Sequence, residues 1–174
     1  MQIEKYGIVL KRLTEDKIET LRKWRNDPKI VQYMDYKKHI TKEMQRDWFE
    51  SINNNNNFYF IVNYENQDIG LVNIKDVDYE KKTGEPGIFI YPDEYQNGDI
   101  SFRCALCNMD FAFEQLNLDY VYGHVLRDNK RAKRFNSAFG YQIASDQENL
   151  TKQLYILTRE RYLLCRDRIS KLLK

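Results

Sequence analysis

The 174-residue chain has little of several residue types that organise common functional classes. It holds two histidines and three cysteines, Cys104, Cys107 and Cys165. An odd cysteine count without framework spacing argues against a disulfide scaffold and fits a reducing, cytoplasmic setting. Cys104 and Cys107 form a C-x-x-C pair, but the pair falls inside a helical pattern with no second pair and no adjacent His. No metal site is expected there, and the thiols read as small core residues. Glycine is scarce at seven residues, and neither a G-x-G-x-x-G nor a Walker-type loop occurs. No apolar run approaches the ~20 residues that span a bilayer. Residues 1–13 alternate charge and apolarity where a secretion leader would carry a continuous apolar stretch. Excess charge of one sign is missing too. Lys+Arg is 28 and Asp+Glu is 26, a net charge of +2, which speaks against a dedicated nucleic-acid binder. Neither a membrane nor a nucleic-acid partner is expected.

Aromatic residues, by contrast, are plentiful at 14%, and 13 of them are Tyr. Tyrosines suit a polar, aromatic-lined groove as well as a core. Hydrophobic residues at 42% and charged residues at 31% match a soluble globular domain, and the length predicts one domain, 1–174, with one sizeable core.

The patterning predicts a mixed order of elements. Residues 8–13 read as a strand. Thr14 offers an N-cap to a helix carrying Ile18, Leu21 and Trp24, which Pro28 ends. Thr41 caps a second helix through residue 51, with Met44, Trp48, Phe49 and Ile52 on one stripe. The run Asn53 to Asn57 is a loop. Strands follow at 58–62, 69–77 and 87–91, with a charged turn at 78–84. A long helix over 101–116 presents Phe102, Ala105, Leu106, Met109, Ala112, Phe113 and Leu116 at i, i+3, i+4, i+7 spacing. Residues 120–126 read as a strand, 129–139 as a helix stopped by Gly140, 141–144 and 152–158 as late strands, and 159–173 as a terminal helix. Strands grouped between early and later helices predict an α/β (α+β) sheet without strict βαβ alternation.

Two stretches carry chemistry. In Tyr95-Gln96-Asn97-Gly98-Asp99-Ile100-Ser101, a turn rich in polar residues joins a strand to the long helix. A helix N-terminus aims free N–H groups at one point and favours a diphosphate there. The second stretch is Val125-Leu126-Arg127-Asp128-Asn129-Lys130-Arg131-Ala132-Lys133-Arg134-Phe135-Asn136-Ser137-Ala138-Phe139-Gly140-Tyr141. It resembles the V-x-x-x-N-x-x-A-x-x-x-Y-x-x-x-G-F/Y segment of the GNAT acyltransferase superfamily. The upstream turn then falls on that family's Q/R-x-x-G-x-G/A loop. Within the superfamily, Trp24-Arg25-Asn26-Asp27-Pro28, His39-Ile40-Thr41-Lys42-Glu43 and Trp48-Phe49-Glu50 resemble the subgroup that N-acetylates nucleotide-linked amino sugars, as in pseudaminic acid biosynthesis. Ribosomal-protein acetyltransferases share some of these features.

The resemblance implies a single-domain GNAT-like fold, with a central mixed, mostly antiparallel sheet flanked by helices. It also implies direct transfer from acetyl-CoA to an amine. By the family pattern, Gln96, Asn97, Gly98, Asp99, Ile100 and Ser101 bind the diphosphate. Backbone amides of Phe89, Ile90 and Tyr91 bind the pantetheine arm and polarise the thioester. Asn129, next to Ala132, meets the arm from the other side, and the basic cluster including Lys133 faces the 3′-phosphate. Two positions depart from the pattern. Asp99 stands where the family has Gly, and a carboxylate aimed at a diphosphate would repel it by on the order of 1 kcal/mol unless it turns outward or caps the helix. Asn136 stands where many members have a Tyr acid; its amide can hydrogen-bond the sulfur but cannot protonate it.

Glu85 and His124 are the candidate general bases. Arg25, Met34, Tyr36 and His39 are candidate contacts to the acceptor, Arg25 through a phosphate or carboxylate. Trp48 and Tyr79 are further candidates for the pocket lining, though Trp48 also fits core packing. The expected acceptor is a small-molecule amine on a nucleotide sugar. A protein or peptide amine, or a non-catalytic binding module, are the other readings. The terminal helix and late strands offer a homodimer contact.

Overall fold

The computed structural model describes residues 1–173 except Asp35 and Asn97. The chain opens with a hairpin. β1 (Gln2–Lys5) pairs with β2 (Ile8–Arg12) through the two-residue turn Tyr6-Gly7, with φ of 58° and 72°. Positive φ at both turn residues matches the twist of the flanking strands. The sequence pattern placed only the second of these strands. β3 (Phe58–Tyr64) and β4 (Gln67–Asp78) extend the sheet antiparallel, followed by β5 (Thr83–Ile90). β5 begins four residues earlier than the predicted 87–91, because Thr83-Gly84-Glu85-Pro86 is extended and the turn is confined to 79–82. β6 (Tyr120–Leu126) joins β5 in the sheet's one parallel pairing. β8 (Lys152–Thr158) inserts between β6 and the short β7 (Gln142–Ile143), giving the order β1-β2-β3-β4-β5-β6-β8-β7. This is the mixed α/β, mostly antiparallel sheet expected.

Helices cover both faces. α1 (Ile18–Asn26), the four-residue α2 (Pro28–Val31) and α3 (Lys42–Ile52) lie on one side. Leu21 and Trp24 pack there on Tyr59, Ile61 and Leu71, with Trp48, Phe49 and Ile52 closing over them. After the short α4 (Asp93–Gln96) come α5 (Asp99–Asp110), α6 (Lys130–Phe139) and α7 (Arg159–Leu172). They fill the other side, where Leu106, Phe139 and Tyr162 join Ile8, Leu10, Phe60, Val72 and Ile74. Thr41 caps α3 by accepting from Met44 N–H at 3.2 Å. Thr14 instead precedes a 3₁₀ turn, and its hydroxyl bonds Asp16, not the backbone. Pro28 sits at the first position of α2, where a missing N–H costs nothing. Beyond Asp110 the predicted long helix widens into a π turn, Phe111–Gln115, which brings the consecutive Phe111, Ala112 and Phe113 all into the core.

The asparagine run is a fastener for β4. Asn56 exchanges two bonds with Val77, Asn57 Oδ1 accepts from Asp76 N–H, and Tyr79 O–H donates to the Asn55 carbonyl. These contacts hold a bulge in β4 where the pairing with β5 shifts register between Lys75 and Asp78 and Asp76 takes φ of 52°. A bulge re-aims the side chains beside it, here Lys75 on β4 opposite Glu85 on β5.

Candidate functional site

The site begins where β5 and β6 part. They share two pairs, Thr83↔Tyr120 and Gly84↔Val121, and then diverge. Tyr91 N–H bonds Ile69 across β4, whereas the Lys82 carbonyl accepts from Asp119 on the β6 side. Strand alternation then assigns the directions. Phe89 and Tyr91 amides point to β4, while Ile88 and Ile90 amides point into the opening. This corrects two of the expected cofactor contacts, because the Phe89 and Tyr91 amides are used by the sheet and only Ile90 of the three is free. At the fork itself stands Pro86, which has no N–H to offer β6.

At the far end of the opening lies the N-terminus of α5. Gly98 is its N-cap, in extended conformation, with no side-chain cap bond. The first-turn amides of Asp99, Ile100 and Ser101 have no intrahelical acceptor, and a Cβ at Gly98 would meet nothing within 4 Å. The Asp99 carboxylate turns along the helix to Arg103, at 2.8 Å, so it faces away from the amides. Ser101 Oγ donates toward the Tyr95 and Gln96 carbonyls. Gln96 spends its side-chain amide on the Tyr91 carbonyl and Asp93. Asn97 lies outside the described residues. From the opposite wall, Arg131 on α6 reaches across to the Gln96 carbonyl at 2.8 Å. Pattern reading had placed Arg131 only in a general basic cluster.

Asn129 caps α6, its Oδ1 accepting from Ala132 N–H at 3.0 Å. Its Nδ2 bonds no other described residue and is free to donate to a ligand. Lys133 and Asn136 are half-buried on the same helix. An exposed strand edge, an uncapped helix start and a free amide donor together suit a diphosphate and a pantetheine arm.

The face of the sheet under α1 and α3 holds the titratable groups. Glu85 is paired with Lys75 at 3.0 Å. Tyr122 follows on the same face of β6, and Tyr59 lies two strands away on β3. Burial raises the pKa of both phenols, and the Glu85 charge adds to the rise. The Lys75 ammonium is pulled down by burial, but Glu85 and Asp76 more than offset this and hold it above its ordinary value. Asn73 lies across the next rung. Its Nδ2 is 3.4 Å from the Glu85 carbonyl, and a Cβ at Gly87 would stand 2.5 Å from its Oδ1. A side chain at Gly87 would therefore displace the Asn73 amide. Tyr59, Asn73, Lys75 and Tyr122 were not singled out from sequence, since only the strand register brings them together.

His124 is exposed on β6, opposite Leu154, and hydrogen-bonds none of the described residues. It follows Tyr122 on the same face of β6, two residues further along the strand. Met34, Tyr36 and His39 lie on the loop between α2 and α3 and make no hydrogen bond to the sheet among the described residues. That loop is gripped at Ile40, whose N–H and carbonyl both bond Asn26, with Arg22 on the same carbonyl. Every residue of Trp24-Arg25-Asn26-Asp27-Pro28 thus has a task. Trp24 stacks on Tyr91 at 5.4 Å, Asp27 caps α2 and accepts from the Tyr91 hydroxyl, and Arg25 turns toward Trp48 and Gln45. Among the described residues no cluster of three or more His, Cys, Asp or Glu could hold a metal ion, and no helix is long and apolar enough to cross a membrane. Cys104 and Cys107 are buried and unpaired, with thiols pushed up to about 12 by burial.

Known proteins share this fold. The family model described as an acetyltransferase (GNAT) domain matches residues 8–142. Acetyltransferase PseH of Campylobacter jejuni is 32% identical over 121 residues, covering 69% of this chain and 73% of that protein. Spermidine N(1)-acetyltransferase of Escherichia coli K12 is 26% identical over 135 residues, covering 76% of this chain and 66% of that protein. Among solved structures, apo FdhC, a nucleotide-linked sugar GNAT, superposes with a TM-score of 0.83 at 20% identity, over 100% of this chain and 99% of that one. The spermidine N-acetyltransferase of Vibrio cholerae in complex with CoA and spermine does so with a TM-score of 0.76 at 20% identity, over 91% and 99%. The chain belongs to the GNAT acetyltransferases, as an enzyme that acylates amines.

Proposed function

We propose that the protein transfers the acetyl group of acetyl-CoA directly to the amine of a nucleotide-linked amino sugar. The carrying observation is the fork between β5 and β6, with free amides along one wall, the α5 N-terminus at one end and Glu85 at the other. The relatives named PseH and the nucleotide-linked sugar GNAT support the acceptor class. Acetyl-CoA supplies an activated thioester. Ile88 and Ile90 amides bind the pantetheine arm and orient its carbonyl, while the amides of Asp99, Ile100 and Ser101, with Arg131, bind the diphosphate. Glu85 accepts the proton that the attacking amine sheds, directly or through water. Asn136 offers an amide N–H to the departing sulfur, and the thiolate, with a pKa near roughly 8.5, leaves without a side-chain acid.

The test is thiol release from acetyl-CoA with three amine panels: aminated nucleotide sugars, spermidine, and peptides with free N-termini. Turnover confined to the first panel supports the proposal. Turnover confined to either of the others removes it. With the accepted amine in hand, Glu85→Gln should lower kcat by about a hundredfold while acetyl-CoA still binds. An unchanged kcat would dismiss Glu85 as the base.

A further inference from the structure

Arg25 is an unusual cation. It is half-buried at the end of α1, with its guanidinium 4.8 Å from the ring centroid of Trp48. Its one hydrogen bond among the described residues is a long one, 3.4 Å from Nη1 to Gln45 Oε1. Its Nε is buried and bonds nothing. Among the described residues no carboxylate pairs with it, and burial lowers its pKa with only Tyr59 acting against that. A guanidinium withdrawn from water without a counter-charge is costly, and natural structures rarely leave one so. Gln45 repeats the anomaly. It is 1% exposed, and its Nε2 also has no partner. Two neighbouring side chains thus hold more donors than the protein supplies acceptors.

The place is continuous with the acceptor face. Arg25 lies over Trp48, Trp48 meets Tyr59 edge-on at 5.1 Å, and Tyr59 is paired across the strands with Asn73. Asn73 lies against Gly87 and the Glu85 carbonyl. On this path the Glu85 carboxylate is already paired with Lys75. A polyamine arriving there would meet an unpaired cation.

We infer that Arg25 reads an anionic group of the acceptor, a phosphate or carboxylate displaced from the reacting amine, and that Gln45 and Trp48 are its positioning residues. This deepens the proposed function: the acceptor class is an amine that carries its own negative charge, and polyamines are selected against. A planar guanidinium backed by an indole presents its outer edge to such a group bidentately.

The experiment is calorimetric titration of the CoA-saturated protein with UDP, inorganic pyrophosphate, acetate and spermidine, on wild type, Arg25→Gln and Gln45→Leu. UDP and pyrophosphate should bind wild type and lose about tenfold or more in affinity in Arg25→Gln, the weight of one charge-assisted bond pair. Acetate binding in place of the phosphates would assign the subsite to a carboxylate. Gln45→Leu should weaken the same ligand while leaving the CoA affinity as in wild type, and spermidine should bind none of the three. The inference falls if no anion binds wild type, or if anion affinity is equal in wild type and both variants. Turnover separates this from the proposed function. Anion binding through Arg25 without acetylation of any aminated nucleotide sugar would sink the proposed function alone. Acetylation whose KM is untouched by Arg25→Gln would sink the inference alone.

Discussion

At position 110 a carboxylate with 4% of its side chain exposed meets two phenols, an ammonium and a guanidinium. Tyr6 and Tyr162 each donate at 2.6 Å, Arg166 lies at 3.3 Å, and Lys5 is an ion-pair partner. Burial alone would raise the pKa of Asp110, but the bonds from Lys5, Tyr162 and Tyr6 more than offset this and hold it below the usual carboxylate range. Its folded pKa thus lies below that of the unfolded chain, roughly 3.9. The stabilisation is present above that unfolded value and is lost as pH falls through the folded one. Urea denaturation should therefore show stability declining with acid below about pH 4. Asp110→Asn should lose about 3 kcal/mol at neutral pH, since four donors face a weaker acceptor, and should flatten the acid limb. A variant as stable as wild type at pH 7 would show the network to be ornamental. The cluster ties the β1–β2 turn to α5 and α7, away from the fork, so acetyl-CoA affinity should be unaltered in whatever fraction stays folded.

Elements, more than single residues, decide what could be read from the chain. α6 was legible in extent and at its end, from Gly140 as its left-handed stop, φ 90°, while the capping role of Asn129 emerges from the structure. That role is a double duty, because Asn129 Oδ1 serves the helix while its Nδ2 is free for a ligand. Asn129→Ala should cost about 1 kcal/mol of stability as well as cofactor affinity. Asn129→Asp should keep the cap, and hence the melting temperature, yet still weaken acetyl-CoA binding. If the two variants bind equally to wild type in calorimetry, Asn129 is a cap and nothing more. β5 was legible only in part. Thr83-Gly84-Glu85-Pro86 has turn composition, and its extended form comes from pairing with β4 across a bulge that distant asparagines secure. Non-local register of this kind leaves no local trace, which is why the sequence pattern offers Glu85 but not its neighbours Lys75, Asn73 and Tyr59. β1 escaped for a related reason: four edge residues alternating exposed and half-buried make a weak signal. The alternation along β5 has a direct readout. Amide exchange at Ile88 and Ile90 should be fast in the free protein and slow on adding acetyl-CoA, while Phe89 and Tyr91 stay protected throughout. Protection of all four in the free protein would contradict the fork.

For the molecule as a whole, the sheet is a partition. α5, α6 and α7 pack the main core on one side, and α1 and α3 roof the acceptor side on the other. On the proposed function, the fork between β5 and β6 lets cofactor and acceptor approach from opposite faces without competing for space. The pairing on either flank is extensive, seven rungs between β6 and β8 and seven between β4 and β5, against two at the fork. The opening therefore costs the sheet little of its own cohesion. Pro86 gives this opening a kinetic character. Two strands that lie side by side tend to anneal, and a slot held apart only by its ligand would have to be pried open at each turnover. At Pro86 the next rung of the zipper has no tooth, so the walls are expected to stay separate between reaction cycles, with a ligand's arrival governed by encounter. Stopped-flow traces should show acetyl-CoA association linear in concentration for wild type. Pro86→Val, which restores the N–H, should introduce a concentration-independent ceiling as a spontaneous unzipping step becomes rate-limiting. An identical linear dependence in both proteins would mean that something other than the missing amide keeps the strands apart. Proline is usually regarded as the residue that breaks a strand; here it is expected to set how quickly an enzyme can be reloaded.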